Sequence, residues 1–181
     1  LKIKMIFKKT KIKDFYQIDL KKISDDRGFF SRMFCLREFK DNRIDIKKFV
    51  QSNNSLSKKK GTFRGFHFQN SPYQEDKLIR CIKGEVFNIC LDLRKNSKTY
   101  LKYVGLYLSE KNRAMMLVPK GCANAHLTLK NDSEIIYFSS QYYAPKYESG
   151  VKYNDRLIKL RLPSKVMEIS DKDLNWEDLV V

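Results

Sequence analysis

The sequence predicts an all-β fold of the jelly-roll type, and three observations predict it. Between residues 78 and 138, short apolar or alternating runs recur about every 10 residues, separated by polar turns, as in antiparallel sandwiches and barrels. The runs are rich in Val, Ile, Tyr and Phe, side chains that suit a pleated, half-buried surface. Helical periodicity is nearly absent from the same stretch.

The predicted strands follow in order. LIRCI (78–82) comes first, then EVFNICLDL (85–93) after the Lys83-Gly84 turn. YLKYVGLYL (100–108) follows the polar turn RKNSKT, and AMMLV (114–118) runs up to Pro119-Lys120-Gly121. AHLTL (125–129) precedes the turn KNDS, and EIIYFSSQYY (134–143) closes the series. Charged and apolar residues mix at helical spacing in SRMFCLREFKDN (31–42) and in SDKDLNWEDL (170–179), which predicts two short peripheral helices. No repeat, Pro- or Gly-rich linker or low-complexity block divides residues 1–181, so a single domain is expected.

Size and composition agree with that reading. A chain of 181 residues buries roughly 70% of its unfolded surface, enough for a full core without a staple. No window reaches the roughly 18 consecutive apolar residues of a membrane helix. Lysines interrupt LKIKMIFKKTKIKDFY throughout, unlike the apolar region of a secretory signal. The expectation is a cytoplasmic protein starting at Met5, with Leu1 to Lys4 as an upstream extension. Cys35, Cys81, Cys90 and Cys122 are widely spaced and the chain has two histidines, a poor ligand supply for a metal, so none is expected. Cys81 and Cys90 read as small buried hydrophobes in strands.

A net charge of +16 invites a nucleic-acid reading. The lysines are spread along the whole chain, however, and no helix-turn-helix, RNP motif or finger spacing accompanies them. Steering of an anionic small ligand is the milder inference, with neither nucleic acid nor membrane as partner.

His67, in GTFRGFHFQ (61–69), lies between Phe66 and Phe68, and strand alternation puts it on the face opposite both. On the residues alone it reads equally as a hydrogen-bonded structural histidine and as a site group. Arg64, Gln69 and Lys77 lie close by in sequence, and Arg27 sits in an earlier Asp-Arg-Gly-Phe turn. These donors suit oxyanions or phosphates, and an imidazole suits proton abstraction at neutral pH.

Six segments then carry a resemblance: SDDRGFF (24–30), FVQSNNSLSKKKGTFRGFHFQ (49–69), KLIRCIKGEVFNICLDLRKNSKTY (77–100), LVPKGCANAHLTL (117–129), YFSSQYYAPKYESGVKYND (137–155) and ISDKD (169–173). In that order they resemble the dTDP-4-dehydrorhamnose 3,5-epimerase family, from about Met5 to Asp173. The resemblance implies a cupin-type jelly roll (double-stranded β-helix), no metal or other cofactor, and a homodimer sharing N-terminal strands. It also implies inversion next to the keto group of a nucleotide-linked sugar. By resemblance His67 is the base, Asp173 the carboxylate that orients it, Tyr137 the proton donor and Lys77 the cation at the enolate oxygen. Arg27, Gln51, Asn53 and Arg64 match positions that hold the nucleotide diphosphate or the sugar, and Tyr142 and Tyr143 divide evenly between pocket and packing roles. Asp155 in YND reads as a turn residue, and Asp171 is the neighbouring carboxylate to compare with Asp173.

One stretch departs from the pattern. Asn124 stands where the family commonly has a second active-site histidine, and His126 where it usually has an aromatic. Asparagine donates hydrogen bonds but does not change charge at neutral pH. His126, two residues on, belongs to the same strand face and reads equally as a partial replacement and as a satisfied strand histidine. The Asn also resembles that of related epimerases acting on GDP-linked 4-keto heptoses. Inversion at C3 alone or at C5 alone stays open, and so does a non-catalytic cupin-like sugar-nucleotide binder.

Overall fold

The computed structural model describes residues 4–46 and 48–180. Most of the upstream extension expected before Met5, residues 1–3, lies outside them. The strands are β1 (Met5–Lys9), β2 (Tyr16–Leu20), β3 (Ile23–Asp25), β4 (Gly28–Phe30), β5 (Gln51–Ser57), β6 (Phe63–Gln69), β7 (Lys77–Lys83), β8 (Glu85–Asp92), β9 (Tyr103–Ser109), β10 (Met115–Val118), β11 (Cys122–Thr128), β12 (Ser133–Ser139) and β13 (Glu148–Gly150). Helices are few and short: α1 (Leu36–Asp41) and α2 (Asp171–Leu174).

A six-stranded sheet runs β1-β2-β10-β7-β12-β5, and a five-stranded sheet runs β13-β6-β11-β8-β9. From β5 to β8, and again from β9 to β13, each strand lies in the opposite sheet from the one before it. That alternation is the double-stranded β-helix of a cupin-type jelly roll. The polar turns do the handing over. At Lys83-Gly84 the chain leaves the six-stranded sheet for the other, and Gly84 sits at φ +72°, with a Cβ there meeting Ser133 Oγ at 2.5 Å. A side chain at that corner would clash.

The period-2 pattern gives each sheet two apolar faces. Ile79 and Cys81 of β7, Ile135 of β12 and Met116 and Val118 of β10 pack between the sheets against Val86 and Cys90 of β8. On the outer face of the six-stranded sheet, Leu78, Met115, Leu117 and Ile18 are covered by Phe39 of α1 with Ile44 and Ile46. On the outer face of the five-stranded sheet, Phe66, Ile89, Leu91 and Ala125 are covered by Val151 and Ile158. Burying a side chain such as Phe66 contributes about 1.5–3 kcal/mol, so these three clusters dominate the favourable side of folding.

Both helices are shorter than the sequence suggests. The N-cap of α1 is Cys35, which makes no side-chain capping bond. Phe39 is its one buried residue, so a longer helix has no apolar stripe to bury. The strand expected over 100–108 begins only at Tyr103, because the Tyr100 and Lys102 N–H groups bond back to the Ser97 and Thr99 carbonyls and Leu101 sits at φ +58°, which continues the turn. Cys81 and Cys90 are buried in strands as expected, and burial pushes the Cys81 thiol up to about 11. No helix is long and apolar enough to cross a membrane among the described residues.

Candidate active site

A cavity of about 180 Å3 opens between the two sheets and is lined by Ser55, Arg64, His67, Lys77, Asn124, His126, Ile135 and Tyr137. A smaller recess of about 90 Å3 shares His67, Lys77 and Tyr137 with it and adds Gln51, Asn53, Glu75, Tyr143 and Glu148. His67 comes from β6 and Asn124 and His126 from β11, in one sheet; Lys77 comes from β7, Tyr137 from β12 and Asn53 from β5, in the other. An imidazole and a phenol therefore face one space from opposing sheets.

The local sequence explains how Arg64 and His67 reach the same space. Residues three apart on a regular strand point to opposite faces. Here Asn124 pairs with His67 and His126 with Arg64, so two residues of β11 span three of β6 at a register shift. This bulge returns both side chains to the inner face. Gly65 lies at the shift with φ +122°, and a Cβ on it would meet the Ala125 Cβ at 2.6 Å and the Asn124 carbonyl oxygen at 2.7 Å. The Arg-Gly-Phe-His order thus has a backbone cause. Phe66 and Phe68 turn outward into the outer cluster, as alternation predicts for the neighbours of His67.

His67 Nε2 lies 2.6 Å from Oδ1 of Asp173, whose side chain is only 5% exposed. The Gly65 N–H donates to Oδ2 of the same carboxylate at 3.0 Å. Burial pushes the Asp173 carboxyl up, but the His67 ring and the Gly65 amide outweigh it and hold the group below the usual carboxylate range. The Ser170 hydroxyl accepts from the Asp173 N–H and caps α2, fixing the carboxylate's backbone. Asp171 is exposed on the same turn and does not meet His67. A carboxylate bonded to one ring nitrogen selects the tautomer with the proton there and leaves the lone pair of the other nitrogen free to accept a proton.

Across the cavity, the Lys77 ammonium lies 6.0 Å from the centre of the Tyr137 ring and 3.0 Å from Oε1 of Glu75. Burial raises the Tyr137 phenol above its ordinary value, and Glu75, Glu148 and Tyr143 add to the rise. The phenol is thereby kept protonated over the neutral range.

The floor is polar and uncharged. Asn124 Nδ2 donates to Asn88 Oδ1 and, at 3.1 Å, to the Ile89 carbonyl. His126 is buried, and burial first, then its electrostatic interaction with Arg64 and with His67, pushes its pKa down to about 3. Asn124 and His126 do share a strand face, as expected, but His126 stays neutral.

The remaining expected residues divide. Gln51 and Asn53 line the recess, their side chains bonded at 3.1 Å, and Tyr143 stands at its edge with its hydroxyl donating to Glu148 at 2.6 Å. Tyr142 lines neither space; it is exposed, and its carbonyl accepts from Gln69 Nε2. Gln69 is buried, and its amide is taken up by the backbone of Tyr73, Tyr142 and Ala144. Arg27 does not join the cavity of this chain: its side chain is 90% exposed on the β3–β4 hairpin and pairs with Asp25 at 2.6 Å. Asp155 accepts from the Leu157 and Leu179 N–H groups, a turn role as expected. Glu75, Glu148 and Ser55 escape the sequence reasoning. The first two lie in loop-like sequence, and only the alternation of β5, with Gln51, Asn53 and Ser55 on one face, could have pointed to Ser55.

Outside the cavity mouth a groove of about 700 Å3 shares Arg64 and His67 with it and is lined further by Lys58, Lys59 and Lys172. Among the described residues no group of three or more His, Cys, Asp or Glu side chains is placed to hold a metal ion.

A cupin-type barrel with an oriented imidazole on one wall and a protonated phenol on the other defines an acid–base enzyme of the isomerase class. The family model described as dTDP-4-dehydrorhamnose 3,5-epimerase matches residues 9–180, and the chain belongs to that family. Curated dTDP-4-dehydrorhamnose 3,5-epimerases from Shigella flexneri (37% identical, 95% of this chain and 94% of that protein) and Salmonella typhimurium (38%, 93% and 92%) are similar over nearly the whole length. The crystal structure of the Bacillus anthracis enzyme with TDP and PPi bound superposes with a TM-score of 0.93 at 34% identity, covering 97% of this chain and 100% of that one. The Legionella pneumophila enzyme in complex with dTDP-4-keto-L-rhamnose superposes at 0.91 with 31% identity, covering 97% and 93%.

Proposed function

We propose that the chain, as one jelly-roll domain acting in the cytoplasm, epimerises a dTDP-linked 4-keto-6-deoxy sugar next to its carbonyl, at C3, C5 or both. The single observation that carries this reading is that His67 and Tyr137 face one cavity from opposite sheets. Inversion needs a proton removed from one side of the ring and returned to the other.

The keto group acidifies the neighbouring C–H bonds. His67 takes the proton, and the C–H electron pair moves into the ring to form an enolate whose oxygen carries the negative charge. Asp173 stabilises the imidazolium that results. Lys77 supplies the preorganised positive charge at that oxygen, an effect that is usually the largest catalytic contribution. Tyr137 then gives its proton to the opposite face of the same carbon, the carbonyl re-forms, and exchange with water resets phenol and imidazole. The groove lined by Lys58, Lys59, Arg64 and Lys172 suits the diphosphate, and Gln51 and Asn53 suit the sugar or the nucleotide.

The relatives and neighbours favour the dTDP-linked substrate over a GDP-linked heptose, and the acid–base set favours catalysis over simple binding. A homodimer fits the exposed Ile6, Phe29 and Phe30 of β1 and the β3–β4 hairpin, and Arg27 on that hairpin would then reach the nucleotide across the interface. The test is incubation with dTDP-4-keto-6-deoxyglucose in deuterated water. NMR should show deuterium at C3, C5 or both with inversion; no exchange at either carbon would overturn the reading.

A further inference from the structure

Of the Lys77–Glu75 ion pair in the cavity, the proposed mechanism uses only the lysine. Both side chains are largely withdrawn from water, 15% and 10% exposed, and they meet at 3.0 Å. Lys77 is the first residue of β7 and is Cα partner to Ser139 of β12, two residues beyond Tyr137 on that strand. Residues two apart share a face, so the ammonium and the phenol project into the same space. Glu75, two residues before Lys77 in the lead-in to the strand, lines the recess beside both. A long, flexible lysine stem has three rotatable donors and no geometry of its own. Something must fix it.

Resting on the function proposed above, we propose that Glu75 is a positioning residue for re-protonation: its carboxylate anchors the Lys77 ammonium beside the Tyr137 ring, so that the cation meets the enolate oxygen while the phenol faces the adjacent ring carbon. The paired carboxylate also offsets the lysine's charge in the free enzyme. An unpaired cation next to Tyr137 would favour the phenolate and remove the proton the second step needs. The other titratable or charged groups around the phenol are Arg64 and His67 from β6, His126 from β11, and Tyr143 and Glu148 at the mouth. His126 is neutral, and Glu148 is already engaged by Tyr143 and Lys172, which leaves Glu75 as the carboxylate directly on Lys77.

The test is Glu75→Gln alongside Glu75→Asp. For Glu75→Gln, kcat should fall about tenfold with KM little changed, short of the roughly 100-fold that a 1 Å misplacement can cost. The alkaline limb of its kcat profile should move to lower pH. Glu75→Asp, which keeps the charge but shortens the reach, should lower kcat while leaving that limb in place. A second readout needs no substrate: in protein labelled with 13C at tyrosine Cζ, with the Tyr137 signal identified by its loss in Tyr137→Phe, Glu75→Gln should shift the phenol's titration midpoint downward. An unmoved Tyr137 midpoint in Glu75→Gln, or wild-type kcat in Glu75→Asp, would overturn the proposal. Because the NMR titration is independent of turnover, failure of the substrate reading and failure of the role of Glu75 are told apart.

Discussion

His67 and Asp173 lie 106 residues apart in the chain and 2.6 Å apart in space, an imidazole of β6 joined to a carboxylate of α2. The carboxylate fixes the ring's tautomer, and the Gly65 amide fixes the carboxylate. Under the proposed mechanism, Asp173→Asn leaves the geometry in place but offers an amide where an acceptor is needed. The expected loss in kcat is about 100- to 10,000-fold, the range of a positioned general base. Nucleotide binding, measured by calorimetry with dTDP, should change little. Asp171→Asn serves as the control and should retain activity.

Under the proposed mechanism the two walls of the cavity make separable contributions. In deuterated water, Tyr137→Phe should retain washout of the sugar C–H proton by His67 while losing inversion, because the face opposite the base then has no donor. His67→Asn should lose both. NMR of the recovered sugar nucleotide distinguishes them, and equal loss of exchange and inversion in Tyr137→Phe would contradict the assignment of the phenol.

Much of this architecture is legible in the sequence, and the part that is not has a physical reason. Alternation and turn residues mark the strands from 78 to 138, because period-2 burial between and outside two sheets leaves its imprint on each strand. The outward turn of Phe66 and Phe68 around His67 follows from the same rule. Arg64 breaks it: only the register shift against Asn124 and His126 brings it to the inner face, and bulges leave little trace beyond a glycine. Arg27 is different: in the single chain its guanidinium pairs with its own Asp25 on an exposed hairpin, and a sequence does not say which surface a hairpin meets. Glu75 reads as loop sequence, and its importance comes entirely from where β7 and β12 place Lys77 and Tyr137.

Gly65 offers a steric test of the bulge. A methyl group there would lie 2.7 Å from the Asn124 carbonyl, a backbone atom that does not rotate away, on a backbone at φ +122°. Gly65→Ala should cost about 1–3 kcal/mol, the range for strained backbone positions, read as a lowered midpoint in urea unfolding. It should also lower kcat, because the same peptide unit carries the N–H that holds Asp173.

Asp92 ties the turn between β8 and β9 together. It is fully buried, and its carboxylate accepts from Arg94, Ser97 and Thr99. Burial pushes this carboxyl up, and the hydrogen bonds more than reverse that, so it stays ionised far below the usual range. Asp92→Asn removes the buried charge on which Arg94, Ser97 and Thr99 converge and should destabilise the fold by about 3–5 kcal/mol. Thermal unfolding checks this, with activity at low temperature preserved because Asp92 touches neither cavity nor groove.

Acid should destabilise the fold in two stages whose order follows from the groups involved. His126 has a folded pKa of about 3, set first by burial and then by Arg64 and His67, against about 6.5 in the unfolded chain. Between those values the unfolded state binds more protons, so stability falls as pH drops from about 6.5 towards 3. Asp173 has its folded pKa below the unfolded value of about 3.9. Its contribution is complete above that value and is lost only as pH falls further, through the folded pKa. His126→Gln, which retains a polar side chain without the titration, should therefore flatten the dependence of unfolding free energy between pH 6 and 4. Asp173→Asn should leave that upper stage in place and alter the lower one. Urea denaturation across pH 3 to 7 reads both stages, and the ring protons of His126 should show no titration by NMR from pH 8 down to about 4. A slope between pH 6 and 4 that survives His126→Gln would mean that another group carries it.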